Sequence, residues 1–111
     1  MNLEHDLKRF TGTSNYYKHI TGLHYTDGIQ YLAKHGECYW LIDAIGSYFH
    51  ITQNLYITWV LIVENNTGKL VGTNFEDQSE IITQDFAYTD FPLRNIKLLQ
   101  MDGILFLPSE D

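Results

Sequence analysis

Tyr39-Trp40-Leu41-Ile42-Asp43-Ala44-Ile45-Gly46-Ser47-Tyr48-Phe49-His50 is the densest run of helical apolar period in the chain, and the other elements are placed relative to it. Leu41, Ala44, Ile45 and Tyr48 recur three and four apart, the spacing of a buried helical stripe, while Asp43, Ser47 and His50 fall on a second, polar stripe. The segment therefore reads as a central helix with its apolar face in the core. Its shoulder of Tyr39, Trp40, Tyr48 and Phe49 is either core or contact surface.

Working backwards, Asp27-Gly28-Ile29-Gln30-Tyr31-Leu32-Ala33 has the period of a second helix, with Thr26 or Asp27 as its N-cap, Gln30 at capping-box distance from Asp27, and Gly36 as its stop. Leu3, Leu7 and Phe10 give a short first helix behind the N-cap Asn2. Between them, Thr11 to Tyr25 shows neither period and is punctuated by Gly12 and Gly22, so an irregular, aromatic-rich connection is expected, with a short strand at Tyr16 to Ile20.

Working forwards, the period changes after Ile51. Leu55, Ile57, Trp59, Leu61 and Val63 alternate with Tyr56, Thr58, Val60, Ile62 and Glu64, the β-branched and aromatic enrichment of a strand. Asn65-Asn66-Thr67-Gly68 is a turn, Lys69 to Phe75 the returning strand, and Glu80 to Tyr88 a further strand closed by Pro92. Asp102-Gly103 is the two-residue turn of a last hairpin, which sets Met101 opposite Ile104, Leu99 opposite Phe106 and Leu98 opposite Leu107. One face then carries Leu99, Met101, Ile104 and Phe106, and the other Ile96, Leu98, Leu105 and Leu107. Both faces are apolar, so the hairpin is either covered on both sides within one chain or covers a second copy; a homodimer through this hairpin is the expectation.

The expected class is α+β: N-terminal helices, about 1–52, packed on one face of a C-terminal antiparallel sheet of four or five strands, about 55–108, in a single domain over 1–111. A chain of 111 residues with 44 % hydrophobic content has ample material for a core. The 14 acidic residues against 7 basic ones give a formal net charge of −7, which works against a phosphate-binding surface and disfavours direct nucleic-acid binding. The acidity is uneven: 5 acidic and 4 basic residues stand before Leu55, and 9 and 3 from there on. The most apolar run, Leu55 to Val63, is shorter than the roughly 20 residues of a membrane-spanning helix. Cys38 is the only cysteine, so neither an internal disulfide nor a cysteine-based zinc cage can form, and the cytoplasm is the expected compartment. The first residues lack the charged-then-apolar layout of an export signal.

Three constellations invite chemistry. Asp43, Ser47 and His50 share the residue types of an acyl-transfer triad, but a working triad places His between Ser and Asp, and here Ser47 stands between the other two; a solvated polar stripe is the plainer reading. His35 and Cys38 flank the start of the central helix, where a dipole-activated thiol with a histidine base is the sharpest enzymatic alternative to a buried, inert cysteine. The histidines His5, His19, His24, His35 and His50 show no His-x-x-x-His spacing, and no phosphate loop, dinucleotide fingerprint or calcium loop occurs, so no metal or cofactor is expected. Tyrosine is abundant at 8 residues, and Tyr16, Tyr17, Tyr25 and Trp40 are the candidate protein-binding residues, weighed against the alternative that the rings wall the core.

Phe10-Thr11-Gly12-Thr13 leading to Tyr16-Tyr17-x-His19, Tyr25-Thr26-Asp27-Gly28, Tyr39-Trp40-Leu41-x-Asp43-Ala44-Ile45, Tyr88-Thr89-Asp90-Phe91-Pro92-Leu93 and Leu107-Pro108-Ser109-Glu110 resemble, nearly end to end, a family of small bacterial proteins of unknown function found in cyanobacteria and other bacteria, including mobile elements. The resemblance carries no activity or catalytic residues, and Cys38 stands where the family pattern has a small residue, which speaks against an essential thiol. It implies an accessory or anti-defence protein acting by contact with another protein. The preferred function is therefore a non-enzymatic cytoplasmic protein-interaction protein, dimeric and with a protein partner. The alternatives are a small hydrolase or thiol-dependent enzyme, and an acidic nucleic-acid mimic.

Overall fold

The structure is a computed structural model that describes residues 2–111. In chain order its elements are α1 (Leu3–Leu7), β1 (Tyr16–Lys18), β2 (His24–Thr26), α2 (Asp27–His35), α3 (Tyr39–Ser47), α4 (Phe49–Thr52), β3 (Ile57–Glu64), β4 (Thr67–Asn74), β5 (Glu80–Phe86), β6 (Asn95–Met101) and β7 (Ile104–Phe106), followed by a 3-10 turn over Pro108–Glu110. The strands make one seven-stranded sheet in the order β1-β2-β7-β6-β3-β4-β5. All neighbouring pairs are antiparallel except β2 with β7, so the sheet is mixed.

The α+β class holds, and its expected arrangement needs correcting. Strands β3 to β7 are the five expected in the C-terminal half, but β1 and β2 precede α2, so strands and helices are interleaved and the stretch before residue 52 is not purely helical. β1 lies within the short strand expected at Tyr16 to Ile20, whereas the three-residue β2 is too short to carry a readable alternation. The central segment is also divided: α3 stops at Ser47 and α4 starts at Phe49. Gly46 and Ser47 are weak helix formers, and Ser47 Oγ donates to Ala44 O at 2.6 Å, competing for a carbonyl the helix would use. The expected capping box from Asp27 to Gln30 is replaced by Thr26, whose Oγ1 accepts from the Ile29 amide at 3.4 Å; Gln30 Oε1 is buried without a hydrogen-bond partner among the described residues.

The core lies between the helices and one face of the sheet. Trp59, fully buried at 0 % exposure, packs in one cluster with Leu41, Ile42 and Ile45 of α3, Ile29 and Leu32 of α2, and Leu61, Leu70, Leu98 and Leu105 of the sheet. Each such side chain contributes about 1.5–3 kcal/mol of hydrophobic stabilisation when fully buried. Gly72, opposite Trp59 in the ladder, makes room for the indole: a Cβ there would lie 2.8 Å from Trp59 Cζ3. One polar network is sunk into this face. Trp59 Nε1 donates to Gln100 Oε1 at 2.9 Å, and Gln100 Nε2 donates to Thr52 Oγ1 at 3.0 Å, so a fully buried amide is paired at both ends.

The last hairpin has the expected register, with Leu99, Gln100 and Met101 paired to Phe106, Leu105 and Ile104. Asp102 (φ 53°) and Gly103 (φ 77°) both have the positive φ that a type I′ turn requires. Its core face, carrying Ile96, Leu98, Leu105 and Leu107, is buried beneath the helices. Its other face belongs to the outer surface of the sheet, where Val60, Val71, Leu99, Met101 and Ile104 are half-buried and stand outside the core cluster.

Candidate functional site

The residues singled out in the sequence are dispersed. Asp43, Ser47 and His50 are exposed as their stripe predicted, but Ser47 bonds to its own helix and the three do not meet. Cys38 is buried, its Sγ 3.5 Å from Leu32 O, and desolvation pushes the thiol up to about 12. His35 is exposed and packs its ring on Tyr31 at a centroid distance of 4.1 Å, with no bond to Cys38. A thiol so raised is protonated at neutral pH and lacks the nucleophilic form.

The aromatic candidates divide between the two readings of tyrosine. Tyr17 and Tyr25 are half-buried and stack at 5.4 Å, and Trp40 sets its edge on Phe86 at 5.0 Å, so these rings serve packing. Tyr16, on the outer sheet face, is 58 % exposed.

Most of the polar residues in the recognisable motifs hold the chain together. Asp27 accepts from the Ser14 and Asn15 amides at 2.9 and 3.2 Å and from Tyr17 Oη at 3.0 Å. Those bonds, led by the Ser14 amide, pull its carboxyl down to about 2. Its own amide donates to Thr13 Oγ1 at 2.8 Å. From the far end of the chain, Glu110 accepts from Thr26 Oγ1 at 2.6 Å and from the Gly28 amide at 3.1 Å, seating a carboxylate on the start of α2. Gly28 is what lets it in, since a Cβ there would lie 2.6 Å from Glu110 Oε1.

One constellation was not legible as a unit. His19, at the tip of the β1–β2 hairpin, places Nε2 2.8 Å from Asp43 Oδ1 on α3 and Nδ1 2.7 Å from Thr21 Oγ1. The Thr21 amide also donates to Nδ1 at 3.2 Å, so the neutral tautomer that satisfies these partners carries its proton on Nε2, pointing at Asp43, and its lone pair on Nδ1. The His19 side chain is 13 % exposed and that of Asp43 73 %. The only sequence signal for the pair was that His19 and Asp43 each end or anchor a recognisable motif, Tyr16-Tyr17-x-His19 and Tyr39-Trp40-Leu41-x-Asp43.

The second feature is the outer sheet face. It bears the half-buried row of Val60, Val71, Leu99, Met101 and Ile104, and a depression of about 380 Å³ beside it is lined by Tyr16, Met101, Ile104, Phe106, Glu110 and Asp111 among others. Its strand positions carry Lys18, Lys69 and Lys97 together with Glu64, Glu80 and Asp85, while the depression beside Met101 and Ile104 is lined by Asp102, Glu110 and Asp111 with no cation. No group of three or more His, Cys, Asp or Glu with metal-binding geometry occurs among the described residues, and no helix among them is long and apolar enough to cross a membrane.

These features define an α+β protein with helices packed on one face of a mixed sheet and, among the described residues, no helix on the other. The chain belongs to a family of unknown function, DUF6876, whose model matches residues 1–111. Neither the curated proteins nor the solved structures provide a match.

Proposed function

We propose that this is a cytoplasmic protein-interaction protein that works by contact through the outer face of its sheet, and that the first partner of that face is a second copy of the chain. The observation that carries the reading is the outer face of the C-terminal hairpin: Leu99, Met101 and Ile104 form a half-buried apolar row, beside the buried Phe106, that no helix among the described residues covers. Charge supports a second copy as the occupant. A molecule of net charge −7 resists self-association wherever its acids face each other. The strand positions of the outer face carry three lysines against three carboxylates, so a second copy meets less repulsion there than the net charge alone would give, provided its axis keeps Asp102, Glu110 and Asp111 apart. A two-fold axis through the hairpin sets apolar row on apolar row and leaves charges of both signs at the rim.

The test is a cross-link. In a two-fold pairing centred on the hairpin, Leu99→Cys lies near its own copy and oxidises rapidly to a covalent dimer, while Asn54→Cys, placed in the exposed segment after α4, does not; native Cys38 is buried and stays silent. Equal, slow cross-linking of both variants would contradict the proposal. An accessory role through a further protein partner, as the family resemblance implies, uses the same face or one the dimer leaves free.

A further inference from the structure

Away from the sheet face, the hairpin tip holds an arrangement with the polarity of a nucleophile relay. We propose that Thr21, His19 and Asp43 form a hydroxyl-activating site that accepts activated acyl esters. The Thr21 hydroxyl oxygen stands 2.7 Å from His19 Nδ1, whose lone pair the Thr21 amide shares at 3.2 Å, and Nε2 of the same ring donates to Asp43 Oδ1 at 2.8 Å. Histidine thus lies between hydroxyl and carboxylate, bonded to both, which is the order that the Asp43, Ser47 and His50 stripe lacked; the two ring nitrogens have exchanged the roles they have in serine hydrolases.

The fold builds this arrangement from both sides. Gly46 on α3 leaves the space into which the imidazole settles, for a Cβ there would lie 2.8 Å from His19 Nδ1 and 3.0 Å from Thr21 Oγ1. The tip is closed by bonds from the His19 amide to Leu23 O at 2.7 Å and from the Gly22 amide to His19 O at 3.0 Å, which fix the ring-bearing backbone. Thr21 is an exposed residue with its hydroxyl turned toward Gly46 of α3, and beside it Ile20, 96 % exposed, offers apolar surface to an acyl or aryl group.

In the reaction, Thr21 Oγ1 forms a bond to the ester carbonyl carbon while its proton passes to His19 Nδ1, and the resulting imidazolium is held by the Asp43 carboxylate. Collapse of the tetrahedral adduct breaks the bond to the leaving oxygen, which departs with the proton from Nδ1. Water, deprotonated by His19, then attacks the acyl-threonine; the acid is released and Thr21 Oγ1 recovers its proton. Ester and water become acid and alcohol with no other reactant. General-base assistance of this kind is worth about 10²–10⁴-fold, which suits esters with good leaving groups.

The experiment is hydrolysis of p-nitrophenyl acetate by the full-length chain, with the acetylated residue mapped by mass spectrometry and folding of each variant checked by circular dichroism. The proposal expects acetyl-Thr21, loss of turnover and adduct in Thr21→Val, and activity kept in Thr21→Ser. Asp43→Asn separates relay from latch: the amide oxygen still accepts the Nε2–H, so a merely structural tie survives, whereas losing the charge lowers turnover at least 10-fold. Acetylation confined to lysine, tyrosine or the histidine ring, or Thr21→Val hydrolysing as fast as the wild type, would overturn it.

Discussion

Asp27 shows how one side chain can tie three segments together. Its carboxylate gathers the Ser14 and Asn15 amides and the Tyr17 hydroxyl, and those bonds hold its folded-state value at about 2 against an ordinary 3.8. A depressed carboxyl contributes stability above its unfolded value and loses it as pH falls through the folded one. Wild type is therefore expected to exceed Asp27→Asn in urea midpoint at neutral pH, with the gap closing between about pH 4 and pH 2; a gap independent of pH would contradict this assignment. Cys38 gives a second outcome at this scale: with its thiol raised to about 12 and its side chain buried, it should resist iodoacetamide in the native protein and react once urea unfolds it. Gln100→Leu strands the Trp59 N–H in the core and should cost about 1–3 kcal/mol in chemical denaturation. The sequence made the exposure of Asp43, Ser47 and His50 and the burial of a lone cysteine readable, because helical phase and residue type decide both. It could not join His19 to Asp43, since 24 residues and an irregular hairpin separate them.

Among elements, those with long periods were legible and those held by distant contacts were not. The β3–β4 and β6–β7 hairpins follow from alternation and turn chemistry, down to the pairing of Leu99 with Phe106. The short β1 was legible within Tyr16 to Ile20, but β2, also three residues, owes its place to parallel pairing with β7, from the other end of the chain. The N-terminus of α2 is likewise completed from afar, by Glu110. Gly28→Ala should dislodge that carboxylate and Glu110→Ala should delete it, each lowering stability by about 0.5–2 kcal/mol, the range of a lost helix cap. Because both changes act on the same contact, the double variant should lose less than the sum of the two, the part of Gly28→Ala that remains being its Cβ against Leu107 Cδ1 at 2.7 Å. Full additivity in a thermal-melt cycle would show that Glu110 does not act through α2.

At the scale of the molecule, the helices cover one face of the sheet and leave the other open. Apolar residues on both faces of the last hairpin were legible in the sequence; that the inner set joins the core cluster with the helices and that Leu99, Met101 and Ile104 stand outside it required the structure. The outer row of Leu99, Met101 and Ile104, on a face whose strand positions carry as many lysines as carboxylates, is the basis for self-association. Light scattering during size-exclusion chromatography at micromolar concentration tests this most directly. Wild type should give about twice the 13.0 kDa chain mass, and Leu99→Lys should fall to a single chain with its circular dichroism unchanged. A wild-type mass of 13.0 kDa, or a dimer that Leu99→Lys leaves intact, would contradict the assignment of the outer face.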